Sequence, residues 1–265
     1  MQEGCIDFVD LNQVVACLAK APSLRQMKAM VPLSFANQEF ALTTSGALYW
    51  PHESALLVAD LHLEKASFFA KHGQMLPPYD SRETLARVAD AIRETGARRV
   101  FTLGDNFHDS EGSARLEPHA AGMLAALTRA VDWVWITGNH DEGSNWPDME
   151  ARTGGSIAEE LQVAGMILRH EAKQGETRPE LSGHFHPRLQ INVRNRRIRR
   201  PCAVVSMGKA GGRMILPAFG ALTGGMDAGD PAIVGALQPA DRIDAVLPAA
   251  GKLATFPLWR KDSIV

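Results

Sequence analysis

Aspartate and histidine residues recur along the sequence directly after short apolar runs. Together with one asparagine they offer carboxylate, imidazole and amide donors, which suit Mn, Fe, Zn or Ni rather than copper(I). Such groups are more numerous than one ion needs, and a carboxylate can bridge two ions. The pattern therefore predicts a site for two divalent metal ions, with candidate donors in the clusters Asp60-x-His62, Asp105, Asn139-His140-Asp141, His170 and His184-x-His186.

The spacing within two of these clusters indicates how the donors are presented. Residues two apart in an extended chain point to the same side, so Asp60 and His62 are expected to share a face, as are His184 and His186. Glycines at 104, 138 and 183 precede the donors, and glycine lets the backbone turn sharply. The donors are thus expected in tight turns at the ends of strands.

Alternating strands and helices must position these turns. Apolar runs at 55–59, 99–103, 133–137 and 166–170, and a further run beginning at 181, predict strands. Helical periodicity over 81–96 predicts a helix capped by Ser81 and ended by Gly96, and another helix is expected near 116–130. The alternation favours parallel βαβ units, whose ligands gather at the carboxyl ends of the strands. At least one of Trp133 and Trp135 is expected in the core.

The two ends of the chain differ from this central part. Residues 1–29 are interpreted either as an N-terminal extension, with the natural start near Met30, or as an ordinary packed helix around 14–18. Residues 188–216 resemble strands joined by a basic turn, and 217–231 are rich in glycine. No linker interrupts 30–265, which are predicted to form a single domain.

Composition limits the classes of protein that fit. The chain has 265 residues, 45% of them hydrophobic, and a net charge of −2, which excludes a mainly disordered chain and a global attraction to nucleic acid. Three scattered cysteines fit a reducing compartment, and no apolar run approaches the ~18 residues of a membrane helix. The sequence also opens without a secretory signal, so a soluble, cytoplasmic protein that does not bind membranes is expected.

The ordered motifs D-x-H, G-D, G-N-H-D, a single His and G-H-x-H resemble the signature of the calcineurin-like metallophosphoesterase superfamily over residues 60–186. The resemblance implies an α/β fold with four layers, α-β-β-α, in which helices flank two mixed sheets. It also implies a division of the donors. Asp60, His62 and His186 would hold the first metal, Asn139, His170 and His184 the second, and Asp105 would bridge them.

The same resemblance assigns His140 to catalysis rather than to metal binding. His140 would lie at the substrate phosphate, where it stabilises charge or protonates the leaving oxygen, and Asp141 is expected to orient it. Two bound ions would activate a bridging hydroxide for in-line attack on phosphorus. The implied activity is metal-dependent hydrolysis of a phosphoester.

One departure from the superfamily pattern falls after the second strand. Many members read G-D-x-x-D, whereas His108 occupies the position of the last aspartate here and Asp109 follows it. We expect His108 and Asp109 to contact the metal ligands on the side away from the ions and to hold them in position. The alternative is that His108 only lines the cleft.

A narrower resemblance concerns three stretches, GDNFHD, GHFHPRLQINVRNRRIRRPC and RMILPAFGALTGGMDAGDP. They are similar to bacterial ligase-associated DNA-damage-response endonucleases. This resemblance implies manganese, DNA as substrate, a role in DNA repair, and association with a DNA ligase and a helicase. The open alternatives are a hydrolase of a small nucleotide or other small phosphoester, and a non-catalytic scaffold that binds another protein.

A dense run of arginines follows the last metal-binding motif. It is interpreted either as a hairpin that grips DNA phosphates or as a solvated basic turn. Because the run lies just after His186, the two interpretations are about equally favoured. The run consists of Arg194, Arg196, Arg197, Arg199 and Arg200.

Overall fold

A computed structural model describes residues 30–261 except 142, 144, 194–195 and 209–210. The predicted extension at residues 1–29 lies outside the described residues. The first sheet has the strand order β1-β2-β3-β4-β5-β6-β7 and is antiparallel from β1 to β4 and parallel from β4 to β7. Its strands are β1 (Met30–Phe35), β2 (Gln38–Thr43), β3 (Leu48–Trp50), β4 (Ala55–Val58), β5 (Arg99–Leu103), β6 (Asp132–Ile136) and β7 (Ser156–Ala158).

The later part of the chain forms a second sheet and a separate hairpin. The strands are β8 (Glu160–Val163), β9 (Met166–Arg169), β10 (Glu180–Ser182), β11 (Arg188–Val193), β12 (Arg196–Pro201), β13 (Ala203–Gly208), β14 (Gly211–Ile215), β15 (Arg242–Ala249) and β16 (Lys252–Arg260). The second sheet has the order β16-β15-β13-β14-β10-β9-β8, and β10 pairs in parallel with both β9 and β14. Strands β11 and β12 form a separate two-stranded antiparallel sheet.

The described residues form six α-helices. They are α1 (Lys65–Lys71), α2 (Asp80–Thr95), α3 (Gly112–Arg115), α4 (Pro118–Ala130), α5 (Trp146–Thr153) and α6 (Pro231–Ala236). Apolar residues at helical spacing on α2 and α4, such as Leu85, Val88 and Leu124, pack in one cluster with Trp133 and Trp135 of β6. Both tryptophans are buried, as predicted.

The two ends of α2 show why one predicted boundary is right and the other wrong. Gly96 adopts a left-handed conformation (φ 68°) and its N–H bonds to the carbonyl of Ile92, so the helix ends as predicted. Ser81 does not cap the helix, which begins at Asp80 after Tyr79. The Ser81 hydroxyl instead accepts a bond from the backbone N–H of Glu64 (2.9 Å) and donates to the Glu64 carboxylate (2.7 Å).

The main core lies between the two sheets. Strand alternation directs Phe101 and Leu103 of the first sheet inward, where they share a buried cluster with Leu168, Leu181 and Met214 of the second. The outer face of the second sheet is covered by α6 and the β11–β12 hairpin. The mixed α/β architecture with two large sheets and flanking helices confirms the predicted fold class, although its fourth layer is thin. None of the described helices is long and apolar enough to cross a membrane.

Candidate metal centre

The predicted metal ligands meet where strands of both sheets end. Asp60, Asp105 and Asn139 follow β4, β5 and β6, which are neighbours in the first sheet. His170 follows β9, and His184 follows β10, its neighbour in the second sheet. Because parallel strands end at a common edge, each sheet presents its polar residues together, and the packed sheets bring the two sets into one site.

Four of the ligand candidates form a first group, comprising Asp60, His62, Asp105 and His186. The two imidazoles face each other with their Nε2 atoms 3.2 Å apart. Nε2 of His186 lies 3.4 Å from Oδ1 of Asp60, and Nε2 of His62 lies 3.7 Å from Oδ2 of Asp105. Both aspartates are buried, so their charge faces this group rather than water.

A second group shares Asp105 and adds Asn139, His170 and His184. Oδ1 of Asn139 lies 2.9 Å from Nε2 of His170 and 3.0 Å from Nδ1 of His184, and these two nitrogens are 3.0 Å apart. Oδ1 of Asp105 lies 3.3 Å from Nε2 of His170. The other six residues therefore lie three to each group, with Asp105 between the groups.

The hydrogen bond of His170 determines which of its ring nitrogens is available to a metal ion. Nδ1 of His170 lies 3.0 Å from the carbonyl of Leu103, which can only accept, so Nδ1 carries the proton. Its Nε2 then points a lone pair at the Asn139 oxygen and at the His184 nitrogen. Two imidazole nitrogens and an amide oxygen this close together match the donor set of a divalent metal site.

Burial keeps another predicted ligand in the form that metals bind. Desolvation, reinforced by His186 and His140 nearby, lowers the pKa of His62 to about 2. Its imidazole is therefore neutral at physiological pH and has a lone pair available. Desolvation also lowers the pKa of His184, although the carboxylates around it oppose the shift.

The backbone at the site departs from the extended conformation expected from the sequence. Asp60, His62 and Asp105 have φ of 53°, 43° and 46°, and His184 and His186 have 72° and 49°. These left-handed conformations are costly for residues other than glycine and persist where the surrounding structure enforces them. Asp60 and His62 nevertheless point to the same side, as expected for residues two apart, because the intervening Leu61 points into the apolar core and is buried there.

Two glycines allow the loops to approach one another. A Cβ atom at 183 would lie 2.6 Å from a carboxylate oxygen of Asp60, and one at 138 would collide with the backbone nitrogen and carboxylate of Asp105. Neither has a positive φ among the described glycines, so close approach, and not turn geometry, requires them. Gly104 does adopt a positive φ of 75°.

Gly138→Ala should therefore damage the metal centre more than the fold. The added methyl group displaces Asp105, so we expect bound metal per chain and hydrolytic rate to fall together while the chain remains folded. Gly122→Ala is the matched control, since a Cβ there meets nothing within 4 Å. Metal analysis and circular dichroism of both variants measure the effect. Full metal content in Gly138→Ala would contradict this account of the loop packing.

His140 lies at the open side of the site. Its side chain is 40% exposed, and its Nε2 lies 3.9 Å from Oδ2 of Asp105. Its backbone N–H donates to Oδ1 of Asp105 (3.0 Å), and its Nδ1 donates to the carbonyl of His108 (2.8 Å). The carbonyl fixes the proton on Nδ1 and leaves Nε2 facing the centre.

Asp141 has a different position from the one predicted. Its buried carboxylate accepts bonds from the backbone N–H groups of Gly138, Asn106 and Phe107 and from the Asn106 side chain. The prediction that Asp141 orients the His140 imidazole is therefore wrong, because the His108 carbonyl occupies that position. Asp141 instead joins the loop after β5 to the loop after β6. Burial raises its pKa to about 6.

His108 and Asp109 have different positions relative to the predicted ligands. The ring of His108 stacks on His140 with centroids 5.3 Å apart and meets the edge of His62 at 5.6 Å, so His108 lies directly beside the predicted ligands. Desolvation lowers the pKa of His108 to about 4. Asp109 points away, because both its oxygens bind the guanidinium of Arg115 in α3. The expected support of the ligands by Asp109 is thus wrong.

The arginine run does not form one surface. Arg194 lies outside the described residues, and only the backbone of Arg196 is described. Arg199 faces Gln190, whereas Arg200 pairs with Leu189 and so lies on the other face of the hairpin, where it lines a cavity of about 390 Å³.

Arg197 and Arg199 lie on the face of the hairpin opposite to Arg200. Arg197 donates to the Gln190 side chain, and Arg199 donates to the carbonyl of Gly225. Gly225 packs against the backbone of His186. The expectation of a five-arginine surface is therefore wrong for Arg200. Alternation along a strand separates it from Arg199.

Sequence reasoning missed the groups that hold the loops in place. Asn106 is fully buried, and its amide joins the carbonyl of Ile136 to the carboxylate of Asp141. Its position directly after Asp105 was the only available indication. The carbonyls of Leu103 and His108 orient two histidines, and no side-chain pattern could reveal them because every residue carries a carbonyl.

Comparison with known proteins agrees with this geometry. Residues 54–192 match the family model described as calcineurin-like phosphoesterase. The chain therefore belongs to the calcineurin-like phosphoesterase family, whose members are metal-dependent hydrolases. That membership and the clustered His and Asp groups fit a dinuclear metal site.

Among solved structures, the chain is similar to the Pseudomonas putida nuclease MPE, with 30% sequence identity over 86% of this chain and 100% of that chain, and a TM-score of 0.62. It also matches the phosphoesterase Yfce from E. coli, with 13% identity over 77% of this chain and 98% of that chain, and a TM-score of 0.39. No curated protein sequence matches the chain significantly.

Proposed function

We propose that this chain is a dinuclear-metal-dependent phosphodiesterase that cleaves DNA. The observation that carries the proposal is the pair of donor groups that share Asp105, with the exposed His140 at their open side. Asp60, His62 and His186 would hold one ion, Asn139, His170 and His184 the other, and Asp105 would contact both. Bound there, the ions would activate water and neutralise charge on the phosphoryl oxygens.

The residues around the ions would position the reaction. Asp60 is held by the backbone N–H of His184, which donates to both of its oxygens (3.1 Å each), and Asp105 is held by the N–H of His140. With Nδ1 bound to a carbonyl, His140 directs Nε2 towards the substrate. When protonated, Nε2–H would donate to a phosphoryl oxygen or to the leaving oxygen.

Two lines of support favour a nucleic acid substrate over a small phosphoester. The chain shares 30% identity with a protein described as a nuclease. Arg199 donates to the carbonyl of Gly225, a residue that packs against the backbone of His186, so this cation lies close to the site. Arg197 lies on the same face of the hairpin. DNA rather than RNA, manganese as the metal, a role in DNA repair, and association with a ligase and a helicase follow only from the resemblance of the sequence to the ligase-associated endonucleases. A cytoplasmic location is proposed from the few, scattered cysteines, which fit a reducing compartment.

Cleavage of circular DNA tests the proposal. The protein should hydrolyse a chromogenic phosphodiester and open circular single-stranded DNA, both with manganese and neither with chelator. Opening of a circle requires attack within the strand and so identifies an endonuclease. Metal-dependent cleavage of the diester with an intact circle would contradict the DNA assignment and favour a small phosphoester. A stable protein that binds metal but cleaves neither substrate would favour a non-catalytic scaffold.

The face of the hairpin that carries Arg197 and Arg199 yields a separate prediction. Replacing both by alanine should weaken DNA binding and reduce the slope of log K against log salt by about 2, because each phosphate contact contributes about one unit. Hydrolysis of a small diester should change little. Filter binding at several salt concentrations, in chelator, measures the slope.

Two arginines at the other ends of the first-sheet strands, away from the candidate site, provide a control of equal charge. Arg93 and Arg129 lie in the last turns of α2 and α4, next to the amino ends of β5 and β6. Their double replacement by alanine should leave the salt slope nearly unchanged. Equal slopes for the hairpin variant and the wild type would show that the hairpin is a solvated basic turn.

A further inference from the structure

A group of aromatic rings lies beside the candidate metal centre on the side of His140. We call Phe68, Phe69, His72 and His108 the aromatic wall. His108 stacks on His140 at 5.3 Å, and Phe69 stacks on His108 at 5.6 Å with an interplanar angle of 28°. Phe68 meets His108 edge-on at 4.8 Å and also contacts His72 at 4.5 Å. Rings therefore continue without interruption from His140 to the surface.

The aromatic wall is not part of the apolar core. Phe68 and Phe69 are half-buried on α1, and neither belongs to the buried clusters of the described residues. Large apolar side chains of surface helices usually point to the core, so two adjacent phenylalanines that remain partly in water need a reason. The core does not provide one, because its cluster at this end is formed by Leu61, Leu63 and Phe107.

The chain immediately after α1 has the same character. Met75 is 85% exposed and Tyr79 is 62% exposed, and they are the two large hydrophobic residues that stand exposed within the part of the chain described here. Both lie between α1 and α2, the segment that continues from the aromatic wall. Exposed apolar side chains thus continue along the chain after the aromatic wall.

We propose that the aromatic wall binds an unpaired nucleobase of the DNA strand, next to the phosphate that is cleaved. This inference rests on the proposed function. A nucleobase is joined to its phosphate through one sugar, so a phosphate held at His140 brings a neighbouring base to the rings beyond it. Every base has a flat π face, and aromatic side chains bind such faces by stacking.

The same geometry favours unpaired over duplex DNA. A base within a duplex already stacks on both of its neighbours, so it can reach the wall only if it is unstacked and unpaired, at a cost of a few kcal/mol. A base in a single strand or loop avoids most of that cost. The wall would therefore select DNA by whether its bases are unpaired, and not by base sequence.

Removal of the base from the substrate tests the proposal. The substrates are two single strands of equal length, one with thymine throughout and one with stable tetrahydrofuran abasic residues throughout. Stacking supports binding of one base by a factor of roughly 5 to 150, so wild-type kcat/KM should favour the thymine strand by a factor in this range. Phe69→Leu keeps an apolar side chain but removes the ring, and should bring the ratio of the two rates close to one.

The control variant is Phe256→Leu, which replaces a half-buried phenylalanine in β16, the edge strand of the second sheet. It should keep the wild-type ratio. A second readout avoids catalysis. A strand that contains 2-aminopurine, mixed with protein in chelator, should lose fluorescence through stacking with wild type and Phe256→Leu, and much less with Phe69→Leu and Phe68→Leu.

The outcomes separate this inference from the proposed function. If wild type cleaves both strands equally and does not quench 2-aminopurine, the wall does not bind bases, although the protein remains a DNA hydrolase. If Phe69→Leu keeps the base preference but alters the oligomeric state on a sizing column, the wall is a contact between copies and the proposal is overturned. If wild type cleaves the chromogenic diester but no DNA, the proposed function itself fails.

Discussion

Asp105→Ala should abolish hydrolysis and weaken binding of both metal ions. Asp105 is the one residue common to the two donor groups, with one carboxylate oxygen 3.3 Å from Nε2 of His170 and the other 3.7 Å from Nε2 of His62. We expect kcat to fall by at least roughly 10³-fold, since metal ions supply several kcal/mol of charge stabilisation in such reactions. Metal analysis of the purified protein should show fewer than two ions per chain.

Two further variants make this result interpretable. Asp105→Asn keeps the shape of the side chain but loses its charge, so it should bind metal poorly while remaining folded. Asp132→Ala removes an exposed carboxylate at the start of β6 that pairs with Arg99 of β5. This variant should behave as wild type. An Asp105→Ala protein with two bound ions and normal turnover would exclude a bridging role for this residue.

His140→Ala should give the opposite combination, with metal content preserved and turnover strongly reduced. The imidazole of His140 is partly exposed, and its Nε2 lies 3.9 Å from the shared carboxylate. Loss of a positioned proton donor typically slows a reaction by roughly 10²–10⁴-fold, and we expect a reduction in this range with bis-p-nitrophenyl phosphate as substrate. Steady-state kinetics and metal analysis on the same preparation measure both quantities.

His52→Ala serves as the matched control, because His52 is largely exposed and pairs only with Glu53 among the contacts of the described residues. It should retain wild-type rates. A His140→Ala protein that has lost its metals would show that His140 is a ligand and that its proposed role in proton donation is wrong.

The grouping of the donors was predictable from sequence because each donor follows a strand. β5 covers the predicted residues 99–103, and β4, β6, β9 and β10 lie within one or two residues of their predicted positions. Once the strands and their parallel order are known, their ends must share an edge. The assignment of ligands to each ion around Asp105 came from the resemblance to a family and stays a prediction.

The features that were not predictable depend on contacts between distant loops. Asp141 follows His140 in the chain, but three backbone N–H groups from two loops bind its carboxylate, and such donors carry no sequence pattern. Ser81 is a suitable cap by residue type, yet Glu64, 17 residues earlier, binds its hydroxyl. Local preference was overridden in both cases by tertiary hydrogen bonds.

The arginine run shows a different limit. Charge density along the chain treats Arg199 and Arg200 as equivalent, whereas pairing in the hairpin places them on opposite faces. The aromatic wall was missed for a related reason. Phe68 and Phe69 lie far in sequence from His140, and only the loop that carries His108 brings them to it.

Crystals of the full chain grown with manganese provide the most direct test of the central claim, through anomalous scattering at the manganese edge. Two peaks about 3.5–4 Å apart are expected, the spacing of dinuclear hydrolases. One should lie among Asp60, His62 and His186, the other among Asn139, His170 and His184, with Asp105 in contact with both. A single peak, or peaks away from Asp105, would contradict the account.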